Sequence, residues 1–154
     1  MLVLIRGSPY VLGGITMTDS NCIFCKIANG DIPSATIYED DLFRVILDIS
    51  PAAKGHALIL PKNHCHDLTD IEEETATKAL LIASKVEKAM KKVLLCDGIN
   101  LLQNTGAAAG QSVFHLHFHL IPRYENDSVI IPWTTLSYAD GEANELAAKL
   151  KAAL

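Results

Sequence analysis

The chain is 154 residues long, 49% hydrophobic and 20% charged, with a formal net charge of −5 at pH 7. That length supports one domain with a real core and is too short for two comfortable ones, and the composition is that of a soluble globular protein rather than a disordered or coiled-coil chain. The acidic balance gives no general attraction to polyanions, so nucleic acid is not an expected partner.

Residues 1–17 are mildly apolar, but Arg6, Gly7, Pro9 and the Gly13-Gly14 pair interrupt them before a signal-peptide core or cleavage site appears. No transmembrane run follows, so a membrane partner is not expected and a cytoplasmic location is. Residues 1–20 read as an N-terminal extension, disordered or left by a start upstream of Met17, and residues 21–154 as the domain. Of the four cysteines, Cys22, Cys25, Cys65 and Cys96, only the first two are close, which is not the disulfide framework of a small secreted protein.

An α+β domain of short strands and helices follows from the periodicity, with no internal repeat. A short helix is expected over residues 22–28, closed by the turn residues Asn29-Gly30-Asp31. Residues 35–39 and 43–48 read as strands joined at Asp40-Asp41 in a hairpin, and 56–60 as a third strand stopped by Pro61. Thr69-Asp70-Ile71-Glu72 fits a capping box, after which Ala79, Leu80, Ala83, Val86, Met90, Val93 and Leu94 mark the apolar face of one long helix. Its acidic start (Glu72, Glu73, Glu74) and basic end (Lys91, Lys92) suit the helix dipole, and Asp97-Gly98 is expected to end it. Residues 99–104 and 113–121 read as a fourth and fifth strand, separated by the small-residue loop from Thr105 to Gly110. A final helix from about Gly141 carries Leu146, Leu150 and Leu154 on one face. The pattern does not place Trp133.

All six histidines fall in two windows, residues 56–66 and 115–119. In the second, His115, His117 and His119 alternate with Leu116, Phe118 and Leu120, so a strand there sets three imidazoles on one face and the apolar set on the other. Clustering three such groups without a ligand is costly, because they lack partners and compete for one proton. Two chemistries fit: imidazoles converging on a zinc ion, or a phosphate held where the Gly/Ala loop and Ser112 offer backbone N–H and hydroxyl donors.

The run Gly110-Gln111-Ser112-Val113-Phe114-His115-Leu116-His117-Phe118-His119-Leu120-Ile121 resembles the signature of the histidine triad family. The likeness extends through Cys22-Ile23-Phe24-Cys25-Lys26-Ile27, Asp48-Ile49-Ser50-Pro51, Gly55-His56, Ile59-Leu60-Pro61-Lys62-Asn63-His64 and Asn100-Leu101-Leu102-Gln103-Asn104. Within the superfamily it is similar to the bacterial nucleotide-binding branch, since His119 stands where the uridylyltransferases carry glutamine. This resemblance implies a five-stranded antiparallel sheet with one long central helix and a C-terminal helix, continued across a homodimer. It also implies a purine nucleotide partner such as AMP, and hydrolysis of nucleoside phosphoramidates.

Carried over by position, the resemblance makes His117 the nucleophile on the α-phosphorus, forming a nucleotidyl intermediate that water releases. His119 and His56 flank the phosphate, and Ser112 with the backbone donors of Gly110 and Gln111 stabilises its charge. Asp48 matches the acid that binds the ribose, Ile49 lies beside it in the nucleotide site, and Asn104 matches a second contact near the phosphate. His115 has a different role, completing with Cys22, Cys25 and His64 a Cys₂His₂ set for one structural zinc per chain. A redox pair is the competing reading of Cys22 and Cys25, but no thioredoxin-like βαβ pattern surrounds them. Cys65 and His66 read as packing or surface residues. Two further functions stay open: dinucleoside polyphosphate hydrolysis by the same chemistry, and a zinc-stabilised nucleotide-binding regulatory protein with incidental turnover.

Overall fold

The computed structural model describes residues 17–131 and 134–154. Most of the N-terminal extension and Trp133 therefore lie outside the described residues. The elements run α1 (Ile23–Ala28), β1 (Thr36–Glu39), β2 (Phe43–Leu47), β3 (Ala57–Pro61), α2 (Glu73–Leu94), β4 (Gly98–Gln103), β5 (Phe118–Arg123) and α3 (Glu142–Ala152). The strands form one antiparallel sheet in the order β1-β2-β3-β5-β4, as expected. No described helix is long and apolar enough to cross a membrane.

Every residue of β3 is buried, and the alternation of side chains along a strand explains why. Ala57 and Ile59 join Phe43, Val45, Phe118 and Leu120 in the core under α2. Leu58 and Leu60 face the other way and meet Ile46 and Ala28, with Phe24 and Ile27 of α1 packed against them. The sheet thus carries a helix on each face. Because Phe118 and Leu120 belong to the α2 face, His119 between them belongs to the α1 face.

The β1–β2 hairpin turns on Asp40, whose carboxylate accepts from the Leu42 and Phe43 N–H groups and the Tyr38 hydroxyl, each at 2.8 Å. Burial acts to raise the Asp40 carboxyl, but these donors and Lys78 outweigh it and hold the pKa down at about 2.

Four local expectations are corrected. The capping box does not form: α2 starts at Glu73, and its cap residue Glu72 makes no side-chain cap bond. The Thr69 hydroxyl and N–H both donate instead to Asp67, at 2.6 and 2.8 Å, so a local Asp turn captures the groups the box would have used. The buried stripe of α2 is Thr75, Ala79, Ile82, Ala83, Val86 and Met90. Leu80 and Val93, expected on it, are 58% and 76% exposed, because each helical step of about 100° carries them off the stripe. The helix stops at Leu94, with Leu95 in the left-handed region at φ 54°, and Gly98 opens β4 rather than ending the helix. The fifth strand begins at Phe118, not Val113. Its partner β3 ends at Pro61, which has no N–H, and the Pro61 carbonyl is taken by the His115 ring at 2.9 Å.

The ends of β1 to β4 move by at most one residue, leaving His56 just before β3 and Asn104 just after β4, while β5 runs two residues past Ile121 to Arg123. Leu146 and Leu150 in α3 are 42% and 61% exposed, and no residue of that helix is buried. Met17 and Asp19, placed by the sequence in the extension, are tied to the domain: the His64 N–H donates to the Met17 carbonyl, and the Asp19 N–H points to Cys25 Sγ at 3.4 Å.

Candidate active site

Since β5 starts at Phe118, only His119 of the triad sits on a strand. His115 and His117 lie in the segment leading into it, yet the alternation holds: Leu116, Phe118 and Leu120 pack in the core under α2, while His115 and His117 meet Phe24 of α1 and His119 meets His117. The backbone directs each ring to a different neighbour.

His115 is fully buried. A carbonyl can only accept, so the bond to the Pro61 carbonyl at 2.9 Å fixes the His115 proton on Nε2. Its Nδ1 lone pair then faces Cys22 Sγ at 3.5 Å and Cys25 Sγ at 3.4 Å. His64 completes the group, its Nδ1 lying 3.2 Å from Cys25 Sγ. Cys22 caps α1 and its sulfur accepts from the Cys25 N–H, so one short helix places both thiols. The four ligand atoms all lie within 4.8 Å of one another. Zinc–sulfur and zinc–nitrogen bonds of about 2.3 and 2.0 Å make the S···N edge of a tetrahedron roughly 3.5 Å, so the donor set and its spacing fit such an ion. Burial pushes the Cys25 thiol up to about 11 and the His115 imidazole down to about 4.

His117 is buried, and its Nδ1 lies 2.7 Å from the His115 carbonyl. By the same logic Nδ1 carries the proton, which leaves the lone pair on Nε2. Phe24 meets this ring edge-on at 5.0 Å and His119 at 4.9 Å between centroids. Burial lowers the His117 pKa, so the ring is neutral and nucleophilic near neutrality. Burial, then the neighbouring His117 and His56, lowers His119 to about 4. His56 Nε2 lies 2.9 Å from His119 Nδ1, and burial lowers His56 as well, against the pull of Asp48.

Asp48 Oδ2 stands 3.8 Å from His56 Nε2, while its Oδ1 accepts from the Ser50 N–H at 2.8 Å. Ile49 beside it is 97% exposed. The small-residue loop makes a single 3₁₀ turn at Ala107–Ala109. Gly110 sits at φ 94°, and a Cβ there would lie 3.6 Å from Asn104 Nδ2, so the loop runs against the Asn104 amide. Gln111 is buried and its side chain is engaged within the protein: Oε1 accepts from the Gly106 N–H at 2.8 Å and Nε2 donates to the His66 carbonyl at 2.7 Å. The expected backbone donors are also engaged within the loop, the Gln111 N–H on the Gly106 carbonyl at 3.1 Å and the Gly110 N–H on the Ala107 carbonyl at 3.0 Å. Ser112 is exposed and borders a depression with Cys22, Ile23 and His64. His66 stacks on Phe114 at 4.8 Å.

Three contributors escape sequence reasoning. Phe24 lies within the stretch that carries the resemblance, which gives it no role, although it touches both His115 and His117. The Pro61 carbonyl and the Ala52 N–H, 3.1 Å from His56 Nδ1, act through backbone atoms that residue type does not reveal. A signal for the α1-face pocket is present in β3, whose residues are apolar at every position and so need cover on both faces.

Residues 29–126 match the family model described as the HIT domain. The chain is 48% identical over 116 residues to adenosine 5'-monophosphoramidase HNT1 of Saccharomyces cerevisiae, covering 75% of this chain and 71% of the yeast protein. A crystal structure of a HIT family member from Bacillus subtilis superposes with a TM-score of 0.82 at 39% identity, covering 87% of this chain and 97% of that one. A zinc-bound histidine triad family protein from Mycobacterium smegmatis gives a TM-score of 0.69 at 38% identity, covering 87% of this chain and 98% of that one. With the motif, the sheet order and the family model in agreement over most of its length, this chain belongs to the HIT domain family.

Proposed function

We propose that the protein is a nucleotide-binding hydrolase that cleaves nucleoside phosphoramidates of the adenosine 5'-monophosphoramidate type at the α-phosphorus. The observation that carries this reading is the tautomer of His117. Its Nδ1–H is committed to the His115 carbonyl, so a buried neutral imidazole presents the Nε2 lone pair beside His119. That nitrogen attacks phosphorus, and the bond to the leaving amine breaks as the amine is protonated. Water then attacks the nucleotidyl-histidine, the phosphorus–nitrogen bond to His117 breaks, and the nucleoside monophosphate leaves with the ring's lone pair restored.

His119 orients the phosphate with His56 behind it. Ser112 provides a donor for its charge, the Gly110 and Gln111 N–H groups being used to hold the loop itself. Asp48 takes the ribose hydroxyls, with Ile49 at the mouth and Asn104 near the phosphate. The yeast relative's named activity supports the phosphoramidate class. Cys22, Cys25, His64 and His115 would hold one zinc per chain; its double charge would keep both thiols ionised and tie α1 to the triad segment. The zinc-bound mycobacterial neighbour supports that assignment.

Purified protein is expected to convert adenosine phosphoramidate to AMP faster than it cleaves diadenosine polyphosphates, measured side by side. Faster cleavage of the polyphosphates would move the substrate class, and AMP binding without turnover of either would favour a nucleotide-binding regulatory protein.

We further propose a cytoplasmic homodimer whose sheet continues from one protomer to the next. The edge position of β4 and the exposed Leu80 and Leu81 on α2 support it, because an open strand edge and apolar side chains at the surface both gain from pairing. Light scattering at micromolar concentration should report twice the chain mass; a fully active monomer would reject the dimer.

A further inference from the structure

The contact between His56 and His119 has a direction. The Ala52 N–H lies 3.1 Å from His56 Nδ1. A backbone N–H can only donate, so Nδ1 of His56 accepts and the proton of the neutral ring sits on Nε2. That Nε2–H points at His119 Nδ1 at 2.9 Å, which must accept in turn. His119 then carries its own proton on Nε2. One backbone N–H, relayed through one imidazole, thus decides which face of His119 is the donor.

We propose that the Ala52 N–H and His56 form a tautomer lock, making His119 a fixed Nε2–H hydrogen-bond donor toward the substrate. This rests on the proposed hydrolase reading and deepens it. His56 is then a positioning residue that acts through His119 and does not contact the phosphate itself. The ligand atom opposite His119 must be an acceptor carrying a lone pair: a phosphoryl oxygen, or the bridging nitrogen or oxygen of the leaving group. The chain of bonds is directional, so the donor is set before substrate arrives and no reorganisation is needed on binding.

The lock also decides a rival use of the same atoms. Asp48, His56 and His119 place three potential metal-ligand atoms within 4.8 Å of one another. An ion bound through His56 Nε2 would force that ring's proton onto Nδ1, where it would oppose the Ala52 N–H. Both nitrogens facing the gap already share one hydrogen. The arrangement favours a proton between the rings over a metal.

The test uses enzyme labelled with ¹⁵N-histidine, in which ring couplings report the tautomer of each histidine without substrate. The wild type should show His119 as Nε2–H. In His56→Leu, His119 should exchange between tautomers, and kcat for adenosine phosphoramidate should fall roughly 10²-fold with little change in KM. His56→Gln keeps an amide N–H donor and should recover most of both signals. Should His56→Leu fail to fold, Ala52→Pro removes only the backbone donor, leaves every site side chain in place, and should loosen the His119 tautomer in the same way. A His119 that stays Nε2–H in these variants, a His56→Gln that falls as far as His56→Leu, or a mixed tautomer with unchanged kcat would each overturn the lock. If the protein proved to cleave no phosphoramidate, the tautomer measurement would still decide the proposal, so the two failures are distinguishable.

Discussion

Replacing His117 by Ala is expected to lower turnover of adenosine phosphoramidate by roughly 10⁴-fold or more while AMP still binds. The expectation rests on how the three triad rings are committed. His115 has its Nε2–H on the Pro61 carbonyl and its lone pair among the thiols, so it has nothing to offer a phosphorus atom. His119 has its lone pair on Nδ1 occupied by His56, so the nitrogen it can turn to substrate carries a proton. His117 alone combines burial, neutrality and a free Nε2 lone pair. Removing it deletes the nucleophile and leaves Ser112, Asp48 and Asn104 in place, which is why binding should survive. His119→Ala should cost less, about 10- to 10³-fold, because it removes an orienting donor and not the covalent step. Rapid quenching with labelled substrate should trap an adduct on His117 that is labile to acid and stable to base, as a phosphorus–nitrogen bond is. Near wild-type turnover in the His117 variant, or an adduct mapped to His119, would falsify the assignment.

The fold was legible wherever burial is one-dimensional. Strands β1 to β4 and helix α2 came within a few residues of their observed bounds, because each alternates or repeats with a clear period and is punctuated by Asp40-Asp41, Pro61 and the loop from Thr105 to Gly110. The errors arose where a local side chain or a distant backbone group won. Asp67 took the Thr69 N–H and hydroxyl that a capping box would have used. Leu95 accepted a left-handed conformation that sequence rules reserve for glycine. The His115 ring takes the Pro61 carbonyl, and β5 begins only at Phe118.

The site was legible as a set of residues and much less as an arrangement. Cys22, Cys25, His64 and His115 do converge, as do Asp48, His56 and His119. The shared face was legible too: Leu116, Phe118 and Leu120 pack under α2 while the imidazoles lie on the side of Phe24, although only His119 belongs to a regular strand. Divergent ring directions, set by the Pro61 and His115 carbonyls and the Ala52 N–H, are what separate the proposed metal ligand, nucleophile and donor within five residues. Each of those directing atoms belongs to the main chain, and any residue type supplies one. Gln111 shows the converse: its place in the motif suggested a ligand contact, while its amide is used to hold the Gly106 and His66 backbone.

Stripping the proposed zinc, by chelation or by the Cys22→Ala, Cys25→Ala double substitution, is expected to lower the melting temperature by about ten degrees or more. For a chain of this size roughly 1 kcal/mol moves the midpoint by 2 to 4 degrees, so the prediction asks the metal to supply only about 3 to 5 kcal/mol, well below what structural zinc sites contribute. The cluster is placed to do so. It joins α1 to the residues after β3 and to the segment before β5, contacts separated by 39, 90 and 93 residues in sequence. Without an ion, the Cys25 thiol, pushed up to about 11 by burial, and the Nδ1 lone pair of the buried His115 face each other at 3.4 Å with no positive charge to hold them. The loss should reach catalysis too. The His115 carbonyl that fixes the His117 proton is held in place by the same ring that meets the thiols, so metal-free protein should lose turnover well below its melting point. Elemental analysis of the purified wild type should find about one zinc per chain and the double variant close to none. A wild type free of zinc at full stability, or a double variant that keeps zinc and melts with the wild type, would reject the site. A Cys22–Cys25 disulfide in freshly isolated protein would put the redox pair in its place.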